Sequence, residues 1–339
     1  MLENLYLSNG YLDMAQIIET GYPFIFLPAA RGTGKTYGTL KYFFEKDEEI
    51  LLIRRLQSEA DIQSSQAGCS YKAIYDDAGI TEYTFQGDKK GLREVVYNDG
   101  SDWHGSAYMG ALSTFATKRG ISMPEIKHIV FDEFIAEPHV RPIKSEGMAL
   151  ANLYETVNRN RELTGEDPLQ LICLSNSVNM NNDIFIYFGL IDHAEQMLRS
   201  GEEVRAIGNK LLIIPQNSPI SAKKQKTALY EAVNSEFAEM AIKNKFILND
   251  FSYVKPRKLG EYKCIYRVGD LYVYRHKSKH EFYVTFTRGE TKKVYSSGYA
   301  DLTRFQREQF RFRAYYYDGL IRFESYHAIA LFEKYFTIN

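Results

Sequence analysis

A chain of 339 residues, 45% hydrophobic and 25% charged with no long low-complexity run, is expected to be ordered over about two domains, which excludes extended disorder. Its opening, MLENLYLSNGYLDMAQ, has neither a basic nor an apolar leader, and nowhere do about 18 apolar residues run together, so neither secretion nor a membrane span is expected. The net charge of −1 conceals a split: residues 220–339 hold 22 Lys and Arg against 13 Asp and Glu, a net of +9, leaving residues 1–219 with 20 against 30, a net of −10. The basic third is expected to meet a polyanion, with a solvated charged face as the alternative.

In chain order, the apolar run Pro23 to Pro28 ends in a glycine-bearing loop, and periodic residues from Lys35 to Phe44 follow, which predicts strand, loop and helix. A second strand is expected over Glu48–Arg55 (EEILLIRR) and a polar helix near Gln57–Gln66. Short strands and a hairpin are expected between 67 and 112, where YTFQGDKKGLREVVYNDG falls. KHIVFDEF (Lys127–Phe134) reads as a strand. Met148–Glu162 is helical, with Leu150, Leu153, Tyr154 and Val157 on one face, and LQLICLS (Leu169–Ser175) and KLLIIP (Lys210–Pro215) are further buried strands. Continuous apolar strands separated by helices predict a parallel sheet covered on both faces by helices, an α/β fold.

An α/β domain is therefore expected over 1–217 and a helical linker over 218–258, where Leu229, Phe237 and Ile242 repeat at helical spacing. A small α+β domain over 259–339 should follow, because the period becomes two in YKCIYRVGDLYVYRHK, HEFYVTFTRG and KKVYSSGYA. These read as three consecutive antiparallel strands. Cys69, Cys173 and Cys264 lack CxxC or Cys/His spacing and read as reduced thiols in a cytosolic compartment.

The chemistry is concentrated in AARGTGKT, Ala29 to Thr36, between a strand and a helix. Backbone N–H groups of Ala30, Arg31, Gly32, Thr33 and Gly34 can wrap the phosphates of ATP, the glycines allow close approach, Lys35 reaches the β and γ oxygens and Thr36 can ligate Mg2+. Ala29 stands where the GxxxxGK[ST] pattern has its first glycine, a position that needs a small residue. In IVFDEF, Asp132 ends an apolar strand where it can hold magnesium, and Glu133 is placed to polarise the attacking water. Such an acidic pair can also be an ordinary surface turn, and the upstream loop decides for the site. Arg31, Lys118, Arg119, Arg159 and Arg161 are candidates for stabilising transition-state charge, against the alternative of solvated side chains. Ser175 and Asn176, ending the next strand, are candidate γ-phosphate sensors, against a plain strand-end turn.

The ordered series ARGTGKTY, LLIRR, IVFDEFIAE, NLYETVNRNRE and ICLSNSVN, over roughly residues 20–190, resembles the genome-packaging ATPases of phi-29-type podoviruses, FtsK/HerA-like ASCE P-loop ring motors. The resemblance implies Lys35 and Thr36 as the Walker A pair, Asp132 as the Walker B carboxylate, Glu133 as catalytic base, Arg159 as an arginine finger acting on the neighbouring subunit, Arg119 as a second trans-acting cation and Asn176 as a sensor. It also implies an ATP-driven packager of double-stranded DNA, ring-shaped and pentameric, in the host cytoplasm and transiently on the procapsid. Its implied partners are the portal (connector) and an RNA scaffold. The C-terminal domain would be RNase H-like, a vestigial nuclease. Tyr262, Cys264, Tyr266 and Val268 share a face of its first strand and Asp270 sits at the turn, without the carboxylate cluster that two-metal cleavage needs. Two other functions fit the same motifs: a non-packaging ASCE translocase or helicase, and an ATP-gated nucleic-acid-binding module in which Glu133 is structural.

Overall fold

The computed structural model describes residues 4–87, 91–115, 123–137, 140, 143–176, 179–216, 218–224, 227–228 and 251–336. Lys118, Arg119, Ser177 and most of the expected linker, including Leu229, Phe237 and Ile242, lie outside them. The chain divides into two compact units, one of residues 1–187 with 196–247 and the other of residues 188–195 with 248–339.

Among the described residues the first unit is built on nine strands: β1 Phe24–Pro28, β2 Ile50–Arg54, β3 Tyr83–Gly87, β4 Arg93–Asn98, β5 Trp103–Ala111, β6 His128–Asp132, β7 Gln170–Ser175, β8 Val204–Ile207 and β9 Lys210–Ile213. Their order is β3-β4-β5-β2-β6-β7-β1-β9-β8. The six strands from β5 to β9 in that order are mutually parallel, and antiparallel pairs close both edges. β7 is buried along its whole length, as expected of a parallel strand covered on both faces. The core runs from Ile25 and Leu27 through Leu52 and Val130 to Ile172 and Leu174. The expected hairpin is β3 and β4, whereas β5 turns back to pair parallel with β2. The amphipathic helix Ile191–Ser200 and the edge strand β8 were not anticipated.

This order puts β7 between the strand that feeds the glycine loop and the strand that ends in Asp132. The carboxyl ends of β1, β6 and β7 therefore lie side by side, where open α/β sheets place their ligands. The helix Glu146–Asn158 spans the sheet in the opposite sense. Glu146 at its start bonds Arg55, just past the carboxyl end of β2, and the Asn158 side chain at its end accepts from the Leu169 N–H, just before β7 begins.

The second unit holds β10 Tyr262–Val268, β11 Leu271–His276, β12 Phe282–Thr285, β13 Val294–Tyr295 and β14 Ile321–Phe323, in the order β13-β10-β11-β12-β14. The helices Tyr299–Glu308, Arg311–Tyr317 and Tyr326–Phe336 supply Phe305, Phe312, Phe332 and Phe336 to its core. The first of the three expected stretches folds on itself as the β10–β11 hairpin, and KKVYSSGYA yields only β13, parallel to β10. A β-bulge between Cys264 and Tyr266 also breaks the alternation. Cys264 pairs with Tyr274 and Tyr266 with Val273, so the four residues expected on one face divide between two. Tyr262 and Cys264 join a tyrosine cluster with Tyr272, Tyr274 and Tyr283, whereas Tyr266 packs on Phe305 and Phe312.

Candidate active site

The loop between β1 and the helix Lys35–Glu45 bends through two glycines in the left-handed region, Gly32 (φ 63°) and Gly34 (φ 87°), where a side chain is strained. Gly34 is the N-cap and contributes no side-chain cap, so the first-turn N–H groups lack the usual local acceptor. Ala29 has no such φ; it is fully buried and its N–H bonds the Ser175 carbonyl at 2.9 Å. The departure from glycine at this position is explained by a site that needs a small side chain and an ordinary backbone.

Lys35 is buried, and its Nζ donates to the carbonyls of Ala29 (3.3 Å) and Ala30 (3.2 Å) and to Asn176 Oδ1 (3.1 Å). Thr36 Oγ1 lies 3.2 Å from both carboxylate oxygens of Asp132. A hydroxyl and a carboxylate thus face each other as oxygen donors beside the phosphate loop. Ser175 is occupied otherwise: its Oγ accepts the Ile135 N–H at 3.1 Å and pins the chain after Glu133. Of the two sensor candidates, the lysine contact belongs to Asn176.

Asp132 and Glu133 share one cation that sequence reasoning missed. Arg54, the last residue of β2, reaches Asp132 Oδ2 with Nη2 (3.0 Å) and Glu133 Oε2 with Nη1 (2.9 Å). The available signal was the unusual end of an otherwise apolar strand, LLIRR, beside the strand bearing the acidic pair. The two carboxylates differ in setting, with Asp132 at 3% side-chain exposure and Glu133 at 49%. Burial pushes the Asp132 carboxyl above the usual carboxylate range; Arg54 pulls it down, Glu133 pushes it up, and Lys35 and Thr36 pull it down again. Burial opposes the Arg54 charge, yet Asp132 and Glu133 raise its pKa above the ordinary arginine value. Glu133 adopts φ 59°, a left-handed conformation uncommon outside glycine, and such strain tends to collect at functional positions.

The other arginines separate. Arg31 pairs with Glu137 beside the loop. Arg161 is buried and donates to the carbonyls of Pro124 and Ile126 ahead of β6, which makes it a structural clamp. Arg159 is exposed, in a left-handed C-cap (φ 45°), and does not join the Lys35, Asp132 and Glu133 group. The helix before it has 13 residues, about 20 Å, and runs from the carboxyl end of β2 to the amino end of β7, so Arg159 lies far from its own chain's phosphate loop.

Among the described residues no group of three or more His, Cys, Asp or Glu is arranged to hold a metal, and no helix is long and apolar enough to cross a membrane.

Residues 11–326 match the family model of the podovirus DNA encapsidation protein (Gp16). The chain is 28% identical over 238 residues to a DNA packaging protein of Bacillus phage PZA, an alignment covering 68% of this chain and 64% of that relative's length. In fold it is similar to the bacteriophage Phi-29 viral genome packaging motor assembly, with TM-score 0.66, 21% identity, and coverage of 98% of this chain and 100% of that one. The Phi-28 gp11 DNA packaging motor matches at TM-score 0.66 and 18% identity, over 98% and 99% of the two chains.

Proposed function

The chain belongs to the podovirus DNA encapsidation protein (Gp16) family, and from that membership we propose that it is an ATPase that drives double-stranded viral DNA into a procapsid. The observation that carries the reading is the convergence of Lys35, Thr36, Asp132, Glu133 and Asn176 at the carboxyl ends of three adjacent parallel strands. Lys35 and the loop N–H groups bind the ATP phosphates, and Lys35 links them to Asn176, which senses the γ-phosphate. Magnesium, held by Thr36 and Asp132, would neutralise charge on the phosphate oxygens. The donor set fits, since magnesium takes one or two carboxylates plus substrate phosphates and water rather than a full protein cage. Glu133, more exposed than Asp132, takes the proton of the attacking water.

Arg159 acts on a neighbouring subunit, because its helix carries it to the amino end of β7, away from its own loop. That requires a homo-oligomeric ring, which we take to be a pentamer, meeting the portal, DNA and an RNA scaffold in the host cytoplasm and on the procapsid. Arg119 is the second trans-acting candidate. We place the ATPase domain at 1–217, the linker at 218–258 and an RNase H-like domain without nuclease activity at 259–339, whose basic surplus grips phosphates without reading sequence.

The test combines steady-state phosphate release with packaging into purified empty capsids. Glu133→Gln should bind ATP and stop turnover, and Lys35→Ala should lose nucleotide binding. Wild-type hydrolysis rates in Glu133→Gln would sink the catalytic assignment. Hydrolysis without packaging would favour the non-packaging translocase.

A further inference from the structure

The hairpin over residues 5–13 lies against the phosphate loop. Tyr6 and Leu12 form an antiparallel bridge, the Asp13 N–H bonds the Leu5 carbonyl at 3.0 Å, and the Leu7 N–H bonds the Tyr11 carbonyl at 2.8 Å. On one side the Leu12 N–H bonds the Thr33 carbonyl of the loop itself at 3.0 Å. On the other, Lys223 Nζ donates to the Asn9 carbonyl at 3.2 Å, and Gly10 (φ 93°) packs so closely on Pro219 and Ile220 that a Cβ there would lie 3.2 Å from each. A turn held at this many points is stiff. Yet Tyr11 within it is 40% exposed. Its ring lies on Gly34, where a Cβ would meet Tyr11 Cδ1, Cβ and Cγ at 3.0, 3.2 and 3.4 Å. The glycine thus serves both the left-handed backbone and the close approach of an aromatic ring.

We propose that Tyr11 is the platform on which the base of the bound nucleoside triphosphate stacks, a substrate contact outside the phosphate-binding motifs. The inference rests on the reading of the loop as an ATP site. Three consecutive residues spread that site out: Thr36 meets Asp132, Lys35 meets Asn176, and Gly34 meets Tyr11. Lysine and the magnesium ligands take the β and γ phosphates, so the α-phosphate end, with ribose and base, leaves toward the remaining side. There the exposed ring of Tyr11 stands beside the loop. Tyr37, exposed to the same extent, is tied through its hydroxyl to Asp77 and so is turned to the helix Lys72–Asp77. A base laid on Tyr11 covers apolar surface on both partners. The stiff hairpin lowers the entropy lost when the contact forms. Stacking uses the π face that every base has and does not read base edges. Tyr11 therefore supplies affinity for a nucleotide over bare phosphates, without discriminating adenine from guanine.

The experiment is calorimetric titration of the full chain, in the presence of Mg2+, with ATP, GTP and inorganic tripolyphosphate, which carries the phosphates and no base. Tyr11→Ala should weaken ATP and GTP by the same factor, roughly tenfold to a hundredfold, and leave tripolyphosphate unchanged. Tyr11→Phe, which restores the ring, should recover the ATP affinity. A second readout uses Tyr11→Trp with Trp103→Phe, which removes the chain's single native tryptophan. ATP should quench the new fluorophore and tripolyphosphate should not. Tyr11→Ala that binds ATP as tightly as wild type overturns the stacking role. A loss confined to ATP would mean edge recognition, and an equal loss of tripolyphosphate would make Tyr11 a mere support for Gly34; either also overturns it. Wild type that binds neither ATP nor tripolyphosphate overturns the reading of the loop as a phosphate site, and this inference with it.

Discussion

Arg54→Met is the substitution whose consequence can be worked furthest. Arg54 is held at 17% side-chain exposure between a carboxylate that is almost fully buried and one that is half exposed. Removing one partner of a buried pair costs about 3–5 kcal/mol. The contact with Glu133 contributes little of this because solvent screens it, and Lys35 and Thr36 still compensate Asp132 in part. We therefore expect a loss of about 2–3 kcal/mol, which in a unit of this size lowers Tm by roughly 5–10 °C. The pH dependence follows from the direction of the Asp132 shift. A carboxyl whose folded pKa lies above its unfolded one binds more protons when folded, so stability falls as pH rises through the window between the two values. The penalty is absent below the ordinary carboxylate value and complete above the raised one. Without Arg54, which lowers it, the Asp132 pKa rises further, so the window widens upward and the variant's deficit is largest near neutral pH and shrinks on acidification. Thermal unfolding of wild type and variant across a pH series reads this directly, with Arg54→Met combined with Asp132→Asn as the control that removes both charges. A deficit that is constant with pH and not relieved in the double variant would refute the reasoning.

Gly34→Ala should cost about 1–2 kcal/mol and weaken nucleotide binding, since φ 87° penalises a side chain and the new Cβ would sit 3.0 Å from Tyr11 Cδ1; melting and ATP titration check both. Arg161→Ala should cost about 3 kcal/mol through two lost charge-assisted bonds to carbonyls while the folded fraction binds ATP normally, as calorimetry and binding measured on one sample would show. Arg159→Ala should leave the unfolding free energy within about 0.5 kcal/mol of wild type and lower turnover by roughly 10³–10⁵. Mixing it with Glu133→Gln subunits should restore hydrolysis, and persistent inactivity in proven mixed rings would place its role elsewhere.

The phosphate loop, the acidic strand end and the strand carrying Asn176 were legible in the sequence because each is a local pattern: an apolar run sets the strand, glycines mark the left-handed turns, and a polar residue at the strand end has one edge of the sheet to occupy. The tolerance of Ala29 was legible for the same reason, as a question of size alone. What the chain order could not contain is which strands become neighbours. β7 follows β6 in sequence, yet its insertion between β6 and β1 is what brings Asn176 to Lys35. The placement of β2 beside β6 likewise sets Arg54 against Asp132 and Glu133, residues separated by more than seventy positions. Arg159 and Arg161 are two residues apart and read alike in VNRNRE, but the left-handed turn between them buries one on two carbonyls and leaves the other exposed. In the second unit the bulge after Cys264 reverses the faces that alternation assigns. Local propensity and spacing determine elements and the chemistry they can carry; strand order, backbone sign and bulges arise from packing between distant segments, and those decided which charged side chains meet.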